Sequence, residues 1–229
     1  MYRCIELPRF SLNTLAAVRR AFRDSTRIPL RQSWRPRPQA AFAPAVVSLG
    51  WRGNSLLVFA ELTDRDIFTH AKKPNQRMWE LGDVFEIFVC PARQAAYYEF
   101  HVTPNNQWLQ LRFGDSSVVK KLQKTNDFTS CVITKKVFHS WVWLRRKEQK
   151  WFVYAEIPAT VICEHKSKRG PWLFSFGRYD YTRDRKAPVI SSTSPHTKPN
   201  FHARHEWEKM QFYKQLKGRR PARVAASVE

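Results

Sequence analysis

The chain has little glycine and lacks the motifs of several common enzyme classes. Seven glycines in 229 residues are few for a protein with many tight turns, so its turns must rely on proline, asparagine and aspartate. The sequence contains no nucleophile elbow G-x-S-x-G, no glycine-rich phosphate-binding loop and no zinc motif H-E-x-x-H. These absences argue against the hydrolases, nucleotide-binding enzymes and metalloproteases that carry such motifs.

Long hydrophobic runs and closely spaced cysteines are also absent. No run approaches the roughly 18 apolar residues that a membrane-spanning helix needs, so no membrane span is predicted. The N-terminal residues MYRCIELP lack the apolar segment and cleavage site of a secretory signal. An extracellular or periplasmic location is therefore expected only if a leader is missing from this sequence. Cys4, Cys90, Cys131 and Cys163 form no C-x-x-C pair, and we expect free, mostly buried thiols.

Positive charge is abundant and is concentrated at both ends. The formal net charge is +21, from 40 basic and 19 acidic residues. Residues 1–40 carry nine arginines and two acids, and residues 213–229 carry five basic residues and one acid. We interpret 1–40 as a basic N-terminal extension and 214–229 as a basic C-terminal tail, both solvated. Attraction to nucleic acid or another polyanion is the alternative interpretation.

The segment between these ends, residues 41–213, predicts one all-β domain. Short runs with period-two alternation recur along it between turn residues, and they predict about nine strands. Many short strands with few helical signals are typical of an antiparallel β-sandwich, with two sheets as in immunoglobulin-like or jelly-roll-like domains. A short helix is predicted at 12–22, capped by Ser11 or Asn13. The predicted strands are 46–51, 55–62, 83–90, 96–103, 108–113, 129–135, 140–144, 151–157, 172–181 and 208–213.

Two neighbouring strands in the middle of the chain alternate apolar and polar residues. Such alternation predicts one face on the core and one face rich in hydrogen-bonding groups. We place Tyr98, Phe100 and Val102 on the core face with Leu109, Leu111 and Phe113. The polar face then carries Glu99, His101 and Thr103 with Trp108, Gln110 and Arg112.

Trp79 and Glu86 are candidates for a binding site. Glu86 stands inside the most apolar strand, where burial of an unpaired carboxylate is costly. Trp79 lies at the mouth of that strand, and a flat apolar ring beside hydrogen-bonding groups suits a sugar. Glu86 and Glu99 on neighbouring strands keep an acid–base pair for glycoside hydrolysis open as an alternative.

Metal ligands are not clearly indicated. His202 and His205 match no strong zinc spacing. Asp64, Asp66 and Asp83 flank a long polar loop and offer oxygen ligands for calcium, but the same residues are ordinary turn formers. The metal ligands therefore stay unassigned.

Four separated motifs resemble those of family 9 carbohydrate-binding modules. They are W-E-L-G-D-V-F-E-I-F-V at 79–89, Y-Y-E-F-H-V-T-P-N-N at 97–106, W-F-V-Y-A-E-I-P at 151–158 and N-F-H-A-R-H-E-W-E-K-M-Q-F at 200–212. The resemblance covers roughly residues 40–213 and is closer to the stand-alone bacterial members. It implies an antiparallel β-sandwich, structural calcium and no catalysis. Members appended to xylanases bind the reducing ends of glucans and xylans.

The resemblance also implies a sugar site. Trp79 matches the first of two aromatic rings that sandwich the terminal sugar, and Glu86 matches the acid that bonds its hydroxyls. Phe201 matches the second ring, although the xylanase-linked members carry tryptophan there. The remaining polar candidates are His101 and Thr103, where the family has an arginine and an asparagine, and Lys198 and Asn200, in a loop that supplies another contact.

These observations predict a non-catalytic carbohydrate-binding protein that acts in polysaccharide catabolism. Its expected partner is a saccharide or polysaccharide, and we expect a monomer without enzymatic activity of its own. No cofactor is expected apart from the calcium that the resemblance implies. Two alternatives stay open, namely a nucleic-acid or polyanion binder that uses the basic ends, and an enzyme of the glycoside hydrolase type. The sugar itself is not predicted.

Overall fold

A computed structural model describes residues 1–114, 116–125, 127–163 and 170–214 of the chain, and most of these lie in or between strands. The strands are β1 (Tyr2–Glu6), β2 (Arg27–Pro29), β3 (Ala45–Arg52), β4 (Ser55–Thr63), β5 (Val84–Pro91), β6 (Tyr97–Val102), β7 (Trp108–Phe113), β8 (His139–Arg145), β9 (Lys150–Pro158), β10 (Trp172–Asp180), β11 (Val189–Ser192) and β12 (Glu208–Tyr213). The helices are α1 (Leu15–Ala21), α2 (Ser116–Thr125) and α3 (Ala159–Ile162), with short 3-10 turns at Met78–Glu80, Thr129–Cys131, Arg146–Glu148 and Arg204–Glu206.

The strands form one continuous sheet in the order β7-β6-β5-β10-β12-β1-β3-β4-β9-β8, with β11 beside β10 and β2 beside β3. The prediction of an all-β fold is confirmed. The prediction of a wholly antiparallel arrangement is wrong, because β1 runs parallel to both β12 and β3. A connection that contains α1 and β2 joins β1 to β3, and it is long enough to return the chain in the parallel direction.

The sheet curls so that its two halves share one core, instead of forming two separate sheets. Val58 of β4 and Val153 of β9 belong to the same buried cluster as Phe85 of β5 and Phe176 of β10. The rings of Phe85 and Phe176 stack with their centroids 5.8 Å apart. Strand β5 is therefore covered on this face by the shared core.

The opposite face of β5 is also buried, against a second apolar cluster. Val84, Phe88 and Cys90 alternate with the core residues along the strand and pack into this second cluster together with Trp207. Burial on both faces explains why β5 is an almost unbroken apolar run. Glu86 points to the same face as Val84 and Phe88, as the alternation predicted.

The N-terminal segment, predicted to be an extension outside the domain, contributes to the centre of the sheet. β1 lies between β12 and β3 and supplies the buried side chain of Cys4 to the core. Leu7 then packs directly over Gly50 of β3, where a Cβ atom would lie 2.5 Å from Leu7 Cγ. The many arginines of the segment predicted a solvated extension, although its apolar residues belong to the core.

Helix α1 packs its apolar stripe onto the outer side of β4 and β9. Val18 is fully buried there, and the ring of Phe22 lies 5.5 Å from that of Phe59. Thr14 caps the helix instead of the predicted Ser11 or Asn13, because its Oγ1 accepts a hydrogen bond from the backbone N–H of Ala17. Lys214 is the last described residue of the predicted basic tail, and the remainder of that prediction lies outside the described residues.

Most predicted strands are present, with two corrections. The segment 129–135 forms a 3-10 turn and irregular structure instead of a strand, and α2 precedes it unpredicted. The alternation predicted within β6 and within β7 is present, but the predicted match between their faces is wrong, because Glu99 pairs with Leu111 and Val102 pairs with Trp108. The connection from 103 to 107 has an odd number of residues. The odd-numbered residues of β6 therefore lie on the same face as the odd-numbered residues of β7. Glu99 and His101 consequently share their face with Leu109 and Leu111.

Two sequence-based expectations about the chain's chemistry are met. The four cysteines are buried thiols that form no disulfide. In addition, the described part of the chain contains no helix that is both long enough and apolar enough to cross a membrane.

We predict that deletion of residues 2–8 abolishes cooperative folding. β12 and β3 would lose the strand that joins them, and Cys4 and Leu7 would leave the core. Thermal unfolding followed by circular dichroism should show no sigmoidal transition. Arg9→Ala, which removes an exposed charge without removing backbone, should unfold as the parent protein does. A truncated chain that melts at the parent temperature would restore the interpretation of this segment as a dispensable extension.

Candidate functional site

A cavity of about 240 Å³ lies against the face of β5 and β6 that carries Glu86 and Glu99. Aromatic and polar side chains line it in nearly equal numbers. The aromatic side chains are Trp79, Phe88, Phe113, Phe128, Tyr179 and Phe201, and the polar ones are Arg77, Glu86, Glu99, Asn200 and His202.

Trp79 forms one side of the cavity and is held from several directions. It lies in the 3-10 turn that leads into β5, and its side chain is partly exposed. Its ring meets Phe128 edge to face at 5.8 Å and His101 at 5.6 Å. The guanidinium of Arg77 lies 5.2 Å from the ring centroid, and the Tyr181 hydroxyl donates to the Trp79 carbonyl at 2.6 Å. The orientation of the indole is thus set by its neighbours.

Phe201 lines the same cavity from the loop before β12, and it is more deeply placed. Its side chain is 5% exposed and packs edge to face against Phe88 and Tyr179. Gly177 in β10 lies beneath the ring, where a Cβ atom would come within 2.7 Å of it. The indole N–H of Trp207 donates to the Phe201 carbonyl at 2.8 Å. Two rings from distant parts of the sequence therefore line one cavity.

His101 lies between two buried carboxylates. Its Nε2 forms a short hydrogen bond with Glu99 Oε1, and its Nδ1 lies 3.4 Å from Glu86 Oε1. The side chains of Glu86 and Glu99 are at most 5% exposed, and that of His101 is fully buried. Among the residues that the structure describes, none forms a hydrogen bond with the second oxygen of Glu99, Oε2. The cluster thus pairs one imidazole with two acids at the wall of the cavity.

Burial and mutual charge shift the pKa values of this cluster. Burial raises the pKa of Glu86 to about 8, although His101 opposes the shift. For His101 burial lowers the pKa, but the carboxylates of Glu86 and Glu99 outweigh it and the net shift is upward. Burial lowers the pKa of His202, so its ring favours the neutral form. Glu86 and His101 therefore both hold protons more tightly than they do in water.

Glu86, Glu99 and His101 offer ligand atoms within 4.8 Å of one another, as a metal site would. Both nitrogens of His101, however, already face a carboxylate, at Glu99 and at Glu86. Nε2 is hydrogen-bonded to Glu99, whereas Nδ1 lies near Glu86 without a hydrogen bond to any described residue. The arrangement is that of a hydrogen-bonded charge cluster.

Three buried aspartates form a second acidic cluster, made of Asp64, Asp83 and Asp180. We test this cluster as a site for the calcium that the resemblance implies. Asp83 accepts hydrogen bonds from the backbone N–H groups of Phe68 at 2.7 Å and Tyr181 at 2.8 Å. Burial, followed by the charge of Asp64, raises the pKa of Asp83 to about 8.

A guanidinium already supplies the positive charge in this second cluster. Arg178 Nη2 lies 2.9 Å from Asp180 Oδ1 and 3.3 Å from Asp64 Oδ2. Asp64 also accepts from the indole N–H of Trp151 at 3.0 Å, and Asp66, the other candidate ligand, pairs with Arg183. With an arginine among the carboxylates and their oxygens taken by N–H donors, these residues do not fit a calcium ion.

The structure brings four of the seven predicted site residues into the cavity wall: Trp79, Glu86, Asn200 and Phe201. The others occupy different places. His101 lies behind the wall and holds the two carboxylates. Thr103 is buried in the turn after β6, where its hydroxyl donates to Asn105 Oδ1 at 2.6 Å, and Lys198 is exposed outside the cavity.

Several cavity residues were absent from the predicted site. The sequence predicts Glu99 only as half of a catalytic pair. The observed register of β6 and β7 places it opposite Leu111, on the cavity side of the sheet. Tyr179 lies on the same face of β10 as Gly177. Once β10 is known to pair with β5, this alternation predicts that Tyr179 faces the cavity. Phe128 lies in an irregular segment without periodicity, so the sequence offers no signal for it.

We predict that Arg178→Met lowers the free energy of unfolding by about 3–5 kcal/mol, because it leaves buried carboxylates without their cation. Urea denaturation provides the measurement. Arg183→Met is the matched control, since its pair with Asp66 is 62% exposed on the arginine side and its loss should cost less than about 1 kcal/mol. Equal effects of the two substitutions would show that Arg178 does not neutralise the cluster.

A second prediction concerns the pH dependence of stability. The pKa of Glu86 is raised on folding, so the native state binds this proton more tightly than the unfolded chain does. The stabilisation is complete below the unfolded pKa and is lost as the pH rises towards about 8. Glu86→Gln removes the titrating group. The free energy of unfolding of the parent minus that of the variant should therefore decrease as the pH rises from the unfolded pKa towards about 8. Glu148→Gln, at the surface, controls for the loss of one carboxylate, and a difference for Glu86→Gln that rises with pH would contradict the prediction.

Comparisons with known proteins give matches among solved structures. No protein-family model and no curated protein sequence matches the chain. A Bacteroides uniformis protein described as carbohydrate-binding has a TM-score of 0.67 and 16% identity, covering 92% of this chain and 98% of that one.

Two further matches are structures of a family 9 carbohydrate-binding module from Caldicellulosiruptor kristjanssonii. The complex with cellotriose has a TM-score of 0.61 and 13% identity and covers 94% of this chain and 95% of that one. The complex with glucose has a TM-score of 0.61 and 14% identity and covers 96% of this chain and 99% of that one. At such low identities the similarity concerns the fold alone, and the fold of this chain is that of the family 9 carbohydrate-binding modules.

Proposed function

We propose that this chain binds carbohydrate, without cleaving it, in the cavity lined by Trp79 and Phe201. The observation that carries the proposal is the combination of aromatic walls and a few carboxylate and amide groups in one enclosed space. A pyranose has the complementary surface, with apolar C–H faces and a rim of hydroxyl groups.

The size of the cavity supports a ligand of one sugar ring. Its volume of about 240 Å³ lies below the roughly 300–1,000 Å³ of pockets that hold drug-sized molecules. A terminal or free monosaccharide fits such a space better than the interior of a polymer does. The proposed role is recognition of a chain end or a free sugar in polysaccharide catabolism, and the bound sugars of the two modules of similar fold agree with it.

The polar groups are placed to receive hydroxyls. Glu86 reaches the cavity from β5, and Asn200 reaches it from the loop that also carries Phe201. The Asn200 side-chain oxygen accepts a hydrogen bond from the backbone N–H of His202 at 3.1 Å, which orients its amide. In the proposed complex the sugar stacks between Trp79 and Phe201, while Glu86 and Asn200 bond its rim.

The arrangement of Glu86 and Glu99 supports binding over hydrolysis. A glycosidase needs two carboxyl groups on either side of the scissile bond, one as acid and one as base or nucleophile. Here both carboxylates face the same imidazole of His101, side by side on neighbouring strands. That geometry does not flank a sugar ring.

The acidic wall also disfavours the polyanion alternative at this site. Two carboxylates line the cavity, and a phosphate backbone would be repelled there. Some arginines of the N-terminal segment are engaged within the protein, as Arg19 and Arg27 both pair with Glu61.

We predict that Trp79→Ala lowers the affinity for glucose or cellotriose at least about tenfold while a cooperative unfolding transition is retained, because the stacking surface is lost. Isothermal titration calorimetry measures the affinity. Trp141→Ala is the control, since it removes a tryptophan of β8 that is 37% exposed and lies outside the cavity.

The same titration separates the alternative. Binding of a neutral sugar should not depend on salt, whereas binding of a polyanion through the basic segments should weaken steeply as salt is added. Unchanged sugar affinity in Trp79→Ala would refute the proposed site.

A further inference from the structure

The cavity is acidic although the protein is strongly basic. The chain carries a net charge of +21, yet the ionisable side chains of β5 and β6 that line the cavity are Glu86 and Glu99. Arg77 also lines it, but its guanidinium pairs with Glu80 at 2.8 Å and lies over the Trp79 ring. Carboxyl groups therefore line this cavity within a strongly basic protein.

Glu99 has an unmet need for a hydrogen-bond donor. Its Oε1 bonds His101, while its Oε2 is buried and forms no hydrogen bond with any residue that the structure describes. The nearest basic atom to Oε2 is Nδ1 of His202, at 3.8 Å, and that nitrogen is already bonded to the Tyr97 hydroxyl at 2.9 Å. A buried carboxylate oxygen without a donor is unfavourable, and a ligand in the cavity is the available source of one.

The chemistry of a carboxylate oxygen indicates what kind of donor suits Glu99. The imidazole of His101 bonds Glu99 only through Oε1. A sugar hydroxyl would offer Oε2 a neutral hydrogen bond, whereas an ammonium group offers three donors and a charge-assisted hydrogen bond.

The surrounding rings point to the same chemistry. Trp79, Phe128 and Tyr179 line the cavity around the acids, and the faces of aromatic rings attract cations. Carboxylates within a wall of aromatic rings form a suitable site for an ammonium group, and the same rings accept the apolar face of a sugar.

Building on the proposed function, we propose that the ligand of this cavity is an amino sugar, either a free hexosamine or a glycan that ends in one. The ammonium group donates to Glu99 Oε2. The pyranose ring packs on Trp79.

The test is calorimetry on the full chain with D-glucosamine, D-glucose and N-acetyl-D-glucosamine, below the pKa of the amine. Glucosamine should bind at least about tenfold tighter than glucose, because a charge-assisted hydrogen bond replaces a neutral one. N-acetylation removes the charge and should remove the preference.

A variant assigns the effect to its residue. Glu99→Gln keeps the shape of the side chain and removes its charge, so the ratio of the two affinities should fall towards one. Asp24→Asn, an exposed substitution in the Arg23 pair, is the control and should keep the ratio. If Glu99→Gln does not fold, the three ligands on the parent protein still decide the question.

The outcomes distinguish this inference from the function on which it rests. Glucosamine that binds no tighter than glucose, or N-acetylglucosamine that binds as tightly as glucosamine, overturns the amino-sugar inference and leaves sugar binding intact. Failure of all three sugars to bind overturns both. A preference that survives in Glu99→Gln overturns the role assigned to Glu99.

Discussion

The contact of His101 with Glu86 and Glu99 is the interaction on which the cavity depends. A strand as apolar as β5 can hold a buried carboxylate only where a partner reduces the cost of desolvation, and β6 supplies that partner directly opposite, with His101 paired to Glu86. The imidazole bonds Glu99 through Nε2, while Glu86, whose pKa is raised to about 8, holds a proton of its own. The cavity wall therefore stays polar at one point within an aromatic surface, which is the property that a sugar-binding site needs.

The local features of this arrangement could be predicted from the sequence. The apolar run around Glu86 predicted a strand, and the alternation within the next two segments predicted two more. The way in which the faces of β6 and β7 match could not be predicted, because it depends on the register, and the register depends on how many residues the turn contains. A shift of one residue moved Glu99 and His101 from a surface beside Trp108 to the cavity side of the sheet.

Features that depend on pairing between distant segments could not be predicted either, because tertiary contacts determine them. β1 is short, and its place between β12 and β3 is determined by contacts with the other end of the chain. Family resemblance alone predicted that Trp79 and Phe201 share one site, because no local pattern links two loops so far apart. Phe128 follows α2 in an irregular segment, and its contact with Trp79 exists only because the tertiary fold places them together.

The two buried acidic clusters solve one electrostatic problem in different ways, and the difference argues for their roles. Around Asp64 and Asp180, Arg178 supplies a permanent cation within 3.3 Å of both carboxylates, so the cluster is internally paired and serves the fold. Around Glu86 and Glu99 the positive partner is a single imidazole, one carboxylate oxygen has no donor among the described residues, and the cavity opens beside it. Net charge, which sums over the whole surface, carries no information about either cluster. An incompletely satisfied carboxylate costs stability in the free protein, and a cost of this kind is expected where a ligand restores the missing donor.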